Sequence, residues 1–119
     1  MSLPKLLAKA QKVFNTFIRD RDRDFGCISC GANVDHAGHY LSQGHHSLTR
    51  FNEVNTNGQC LRCNNFLHGN LIEYRKGLVK KYGEQKVLML ENTKGVKKWS
   101  TSELEAIIQT YGKSKRKTT

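Results

Sequence analysis

Cys27-Ile28-Ser29-Cys30 and Cys60-Leu61-Arg62-Cys63 form two C-x2-C pairs, and the second runs directly into Asn64 and His68. A two-residue spacer turns both thiols of a pair toward one point, whereas structural disulfides seldom link residues so close together. The two pairs use all four cysteines of the chain. Four thiolates complete a tetrahedral zinc shell with no open position, so the expected site is structural and contributes folding energy. It would staple the segment around Cys27 to a helix expected after Cys60. Between the pairs the chain is rich in Gly, Asn, His and Ser, with short stretches such as Ala37 to Ser42 that suit β-strands. A hairpin joined by a long loop is the expected core.

Outside this core the pattern is helical. Leu3, Leu6, Leu7, Ala10, Val13, Phe14, Phe17 and Ile18 recur at three- and four-residue steps, which predicts one apolar helix face over residues 3–22. The sign-alternating run Arg19-Asp20-Arg21-Asp22-Arg23-Asp24 neutralises itself and reads as an exposed helix end without chemistry. Asn70 followed by Glu73 resembles a capping pair for a helix that stops at Gly83. Residues 86–91 suit a short strand or more helix. Thr101 or Ser102 would cap a last helix over about 101–111, ended by Gly112. Residues 113–119, with no apolar side chain to bury, read as a disordered basic tail. The expected organisation is a single domain over 1–112, with the zinc and catalytic core at 26–82. The fold class is α+β: a small zinc-stabilised, treble-clef-like core with flanking helices.

The chain has 119 residues, 37% hydrophobic composition and a net charge of +10. A core that thin calls for outside support such as a metal. Residues 27–70 carry two Lys/Arg against two acids, and residues 71–119 carry twelve against five, so the surplus flanks a formally neutral core. Clustered cations gain affinity for phosphates by releasing counterions, which points to nucleic acid. No apolar run approaches membrane-spanning length, no secretory signal is visible, and unpaired cysteines fit a reducing cytoplasm.

Four residues accompany the cysteines. Asn64 and His68 would share one face of a helix and hold a hard cation between them. His39 on the hairpin would face them as a neutral imidazole able to take a proton from water. Asn55 would fix the loop carrying that histidine. Phe17 to Asp24, Cys27 to Gly31, Ala37-Gly38-His39-Tyr40, Arg50-Phe51-Asn52-Glu53 and Asn55 to Asn64 together resemble the HNH, or ββα-metal, endonuclease superfamily in its zinc-containing form. The spacing is similar to that of the phage junction-resolving endonuclease VII. The nearer resemblance, over roughly residues 11–112, is to the NinG (Rap) recombination nucleases of lambdoid phages.

That resemblance implies a metal-dependent endonuclease cleaving branched recombination intermediates, Holliday junctions and D-loops, in a bacterial host cell from a phage or prophage gene. It implies Zn2+ in the four-cysteine site and Mg2+ or Mn2+ for hydrolysis. By position, His39 becomes the general base, Asn55 the orienting amide, and Asn64 a metal ligand joined by His68 and His36. The family pattern has an acidic residue where this chain has His36 and a serine where it has His68. A more nitrogen-rich site follows, or Asp35 replaces the acid after a one-residue shift. A cysteine-bearing N-terminal extension found in the family is not expected here. Arg50, Tyr74, Arg75, Lys80 and Lys81 are the expected DNA contacts, and two coordinated cuts imply a homodimer working beside recombination proteins. Two alternatives remain: a noncatalytic zinc-dependent nucleic-acid-binding module, and an HNH nuclease acting on linear duplex.

Overall fold

The computed structural model describes the backbone of residues 1–117 and the side chains of residues 1–112. Helix α1, Leu3–Asp22, opens with Ser2 accepting a hydrogen bond from the Lys5 N–H and with Pro4 in its first turn, where a missing N–H costs nothing. Its apolar stripe buries Leu6, Ala10, Phe14 and Ile18 against Phe51 and against Leu104 of α4, Thr101–Lys117. The Phe14 ring meets the Phe51 and Tyr111 rings edge-on at 5.7 and 4.8 Å.

A two-stranded antiparallel sheet lies beside α1. Strand β1, His36–His39, pairs with β2, Thr56–Gln59, so that His36 lies opposite Gln59 and His39 opposite Thr56. Alternation along β1 sends Ala37 and His39 to one side and His36 and Gly38 to the other. Ala37 packs on the α1 cluster. A five-residue π-turn, Arg62–Phe66, follows the second cysteine pair. Helices α2, Leu71–Tyr82, and α3, Glu84–Asn92, then bury Tyr74, Leu78 and Val87 against Ile28. Close approach here needs Gly77, because a methyl group at that position would collide with the Ile28 carbonyl.

Several local expectations change. The stretch after Cys60 is helical only to Phe66; His68 and Asn70 both adopt positive φ, 51° and 45°. Asn64 and His68 therefore do not share a helix face. Asn70 begins α2 without a side-chain cap, since its Nδ2 donates instead to the Cys63 sulfur at 3.5 Å. Residues 86–91 are helix. The last helix is capped one residue earlier than expected, by a Ser100–Glu103 box in which each side chain satisfies the other's main-chain N–H. It also continues past Gly112 to Lys117, because Lys and Arg are good helix formers and one glycine costs only about 1 kcal/mol. The expected disordered tail over 113–119 falls on side chains, and at its last two residues on backbone, outside the described residues.

The run Arg19 to Asp24 is more than an exposed helix end. Asp22 is 2% exposed and accepts hydrogen bonds from the Gly58 N–H, Arg21 and Lys81. Lys81 also donates to the buried Asn57, so one carboxylate joins α1, β2 and α2. Burial alone would raise the Asp22 pKa, but the hydrogen bonds from Arg21, Gly58 and Lys81 outweigh it and hold the carboxyl below its ordinary value. Asp22→Ala leaves two cations without their partner and is expected to cost about 3 kcal/mol in urea unfolding. The stabilisation from Asp22 is complete above the ordinary value near pH 4 and is lost as pH falls further, so the loss in Asp22→Ala should shrink when unfolding is measured in that acid range.

Candidate functional site

The end of α1 delivers the first cysteine pair and the end of β2 delivers the second. All four sulfurs lie within 4.8 Å of one another, with Cys30 and Cys60 3.6 Å apart. Four sulfurs each about 2.3 Å from a tetrahedral zinc sit roughly 3.8 Å apart, so the donor set and its dimensions fit that ion. The Cys63 N–H points at the Cys60 sulfur at 3.4 Å, and Asn70 Nδ2 points at Cys63, donors suited to thiolates. Burial pushes the Cys63 thiol up to about 12 without a cation, so metal binding must expel its proton.

His39, at the end of β1, places Nε2 2.9 Å from the Arg50 carbonyl oxygen. A carbonyl only accepts, so Nε2 carries the proton and Nδ1 of the neutral ring keeps its lone pair. Desolvation lowers the pKa of this imidazole, and the Arg50 charge adds to the effect, although the Arg50 carbonyl works against it. The ring is held neutral and in one tautomer near pH 7.

Asn55 fixes the loop that supplies the carbonyl. Fully buried, it accepts from the Leu41 N–H at 2.7 Å and donates to the carbonyls of Leu41 and Thr49 at 3.0 and 3.2 Å. The amide thus ties Leu41, two residues after His39, to Thr49 beside Arg50. Trp99 closes the loop from outside, donating from Nε1 to the Ser47 carbonyl while its ring packs edge-on against Phe51.

On the opposite side of β1, His36 Nδ1 and Asn64 Nδ2 approach to 3.2 Å. Gly38 lets the Gln59 amide close against the strand beside them: a methyl group there would overlap Gln59 Oε1 and come 3.1 Å from Asn64 Oδ1. Gln59 Oε1 is buried with no hydrogen-bond partner among the described residues. An imidazole nitrogen, an amide oxygen and an orphaned acceptor suit a divalent cation that takes its remaining ligands from water or phosphate. Asn64 thus meets His36 and not His39. His68 is exposed beyond the π-turn, and Asp35 is engaged elsewhere, its carboxylate accepting from the Leu61 N–H at 2.7 Å.

The expected DNA contacts divide. Lys80 is exposed, whereas Arg50 is partly buried with Nε on Gln11 at 2.8 Å. Arg75 pairs with Glu84 and Glu91, and Lys81 with Asp22. Tyr74 is a correction: it is fully buried and its hydroxyl donates to the Gly38 carbonyl at 2.6 Å, because an aromatic ring on the inner face of α2 fills the space under the sheet. Sequence reading passed over Gly38, Gln59 and Asn52, whose Oδ1 takes the N–H groups of Val54 and Asn55. The Asn52-x2-Asn55 spacing is the one local signal for that turn.

The family model described as Bacteriophage Lambda NinG protein matches residues 2–119. The chain belongs to the NinG family. Protein ninG of Escherichia phage lambda is 39% identical over 108 residues, covering 88% of this chain and 53% of that protein. Protein ninG of Salmonella phage P22 is also 39% identical with the same coverage, and that of Escherichia phage 933W is 38% identical, covering 88% and 54%. The chain spans about half the length of the curated relatives it matches. No solved structure matches it. No described helix is long and apolar enough to cross a membrane.

Cys60→Ser is expected to abolish bound zinc in metal analysis and cooperative unfolding in thermal melts. His39→Ala, which removes a hydrogen bond to a carbonyl, should retain zinc and cost about 1 kcal/mol.

Proposed function

We propose that this chain is the nuclease core of a metal-dependent endonuclease that hydrolyses phosphodiester bonds in branched recombination DNA, Holliday junctions and D-loops. The observation that carries the reading is His39: a neutral imidazole, tethered through Nε2, with a basic Nδ1 and a lowered pKa. A general base must be unprotonated at the working pH; burial keeps this ring so, and the bond to the Arg50 carbonyl fixes its tautomer. The order of strand, long pinned loop, strand, cysteine pair and helical turn is what a ββα-metal core would use, and the net charge of +10 suits a polyanion.

In this mechanism His39 Nδ1 takes a proton from the attacking water as its oxygen bonds to phosphorus. The bond from phosphorus to the leaving sugar oxygen breaks, and that oxygen departs with the bonding pair. Asn55 acts at one remove, holding the loop whose Arg50 carbonyl orients the ring. His36 and Asn64, on the other side of β1, would hold Mg2+ or Mn2+, which would supply positive charge for the DNA phosphates. The four cysteines would hold Zn2+ as scaffold only. Two coordinated cuts across a four-way junction call for a homodimer, and recombination proteins are the natural company of such an enzyme.

The test incubates labelled four-way junction and matched linear duplex with manganese, magnesium or EDTA. Cutting of the junction with a divalent cation is expected, reduced at least about 100-fold in His39→Ala. Absence of cutting, or equal cutting by His39→Ala, sinks the reading, and preference for linear duplex replaces the substrate. Because the base works unprotonated and its pKa lies below the ordinary 6.5, the rate should hold level down to that pH and fall only in more acid solution.

A further inference from the structure

We propose that the π-turn Arg62–Phe66 carries an aromatic wedge, Phe66, that stacks on a base exposed at the branch point of the DNA substrate. The inference rests on the branched-DNA reading above and adds the element that reads the branch. Phe66 is 72% exposed and Leu67 beside it 40%, on the same turn as Asn64. A large apolar ring projecting into water costs free energy unless something covers it.

Three further observations indicate what covers it. The first is charge: Arg62, on the same turn, is exposed, and among the described residues its guanidinium has no ion-pair or hydrogen-bond partner. Between Glu53 and Glu73 the chain carries no acidic residue. The second is rigidity. The Gly69 N–H donates to the Cys63 carbonyl at 2.8 Å, Gln59 Nε2 donates to the Gly69 carbonyl at 2.8 Å, and Asn70 Nδ2 donates to the Cys63 sulfur. The ring thus sits on a turn whose main chain is tied to the cysteine cluster, so that the turn loses little entropy on contact. The third is strain: a π-turn followed by two non-glycine residues at positive φ is an uncommon way to end a helix, and such geometry concentrates at working sites.

Paired duplex hides base faces in its stack, whereas a branch point leaves some of them open. An exposed aromatic ring on a turn that carries Arg62 and no acid matches such a face, and the ring tolerates any base because every base has a π-surface. Phe66 is therefore a specificity-determining residue for branched over linear DNA.

The test measures binding separately from cutting, with the zinc-loaded full chain in calcium, against a four-way junction and a linear duplex of matched sequence. Wild type should prefer the junction. Phe66→Ala should lose junction affinity roughly ten-fold while linear affinity changes less than about two-fold, and Phe66→Trp should retain the preference. Equal affinity of wild type for both DNAs, unchanged junction affinity in Phe66→Ala, or equal loss on both DNAs overturns the proposal. So does a shift from dimer to monomer in sedimentation of Phe66→Ala, which would make the patch an interface between copies. A chain that prefers junctions through Phe66 but never cuts would sink the nuclease reading and leave this one standing.

Discussion

Convergence of four sulfurs is the constraint on which the other parts of the molecule depend. The buried apolar residues fall into separate small clusters, one between α1 and α4 and one between α2, α3 and Ile28, and neither reaches the other through a continuous core. Cys27, Cys60 and Cys63 form a third buried cluster. Drawing Cys27 and Cys30 onto Cys60 and Cys63 fixes where α1 ends, where β2 ends and where the π-turn begins. Asp22 adds a polar linkage a few residues away, joining α1 to β2 through Gly58 and to α2 through Lys81. A four-cysteine cluster that could hold a metal and a buried carboxylate together take the place of a larger hydrophobic interior.

The candidate site follows from that frame through main-chain groups more than through side chains. His39 is oriented by the carbonyl of Arg50, the carbonyl is placed by a loop that Asn55 closes from within, and Tyr74 braces β1 from below through the carbonyl of Gly38. Each step uses a buried or partly buried donor or acceptor whose partners come from the main chain of a neighbouring segment, which restricts the alternatives. Opposite faces of a single short strand then carry different tasks. One presents an imidazole kept neutral by burial; the other presents His36 beside Asn64 and an unoccupied acceptor on Gln59.

Much of this was legible in the residues because it is local. The cysteine spacing, the three- and four-residue recurrence in α1 and the glycine that ends α2 each act within a few positions of themselves. The position of Asn55 within the segment between the cysteine pairs singled it out as a loop residue, and its amide bonds to Leu41 and Thr49. What escaped was non-local. Nothing within Arg19 to Asp24 distinguishes Asp22 from its neighbours; the Gly58 and Lys81 contacts that bury it come from elements far along the chain. The inward turn of Tyr74 and the pairing of His36 with Asn64 depend likewise on how α2 and the π-turn dock on the sheet. A premise of regular helix also misplaced His68, because a π-turn and left-handed backbone break the four-residue geometry.

The packing of α1 on α4 has a kinetic side. The stripe of Leu6, Ala10, Phe14 and Ile18 is covered chiefly by Phe51, Leu104, Ile107, Ile108 and Tyr111, so its cover arrives late in synthesis. Until the segment through Tyr111 has left the ribosome, α1 offers an uncovered apolar surface to any neighbour it meets. Contacts of such long sequence separation form slowly, since the intervening chain must be ordered or looped before they are rewarded. The nascent chain is thus most exposed to self-association when the cysteine knot is already complete and the helix that shelters α1 is not.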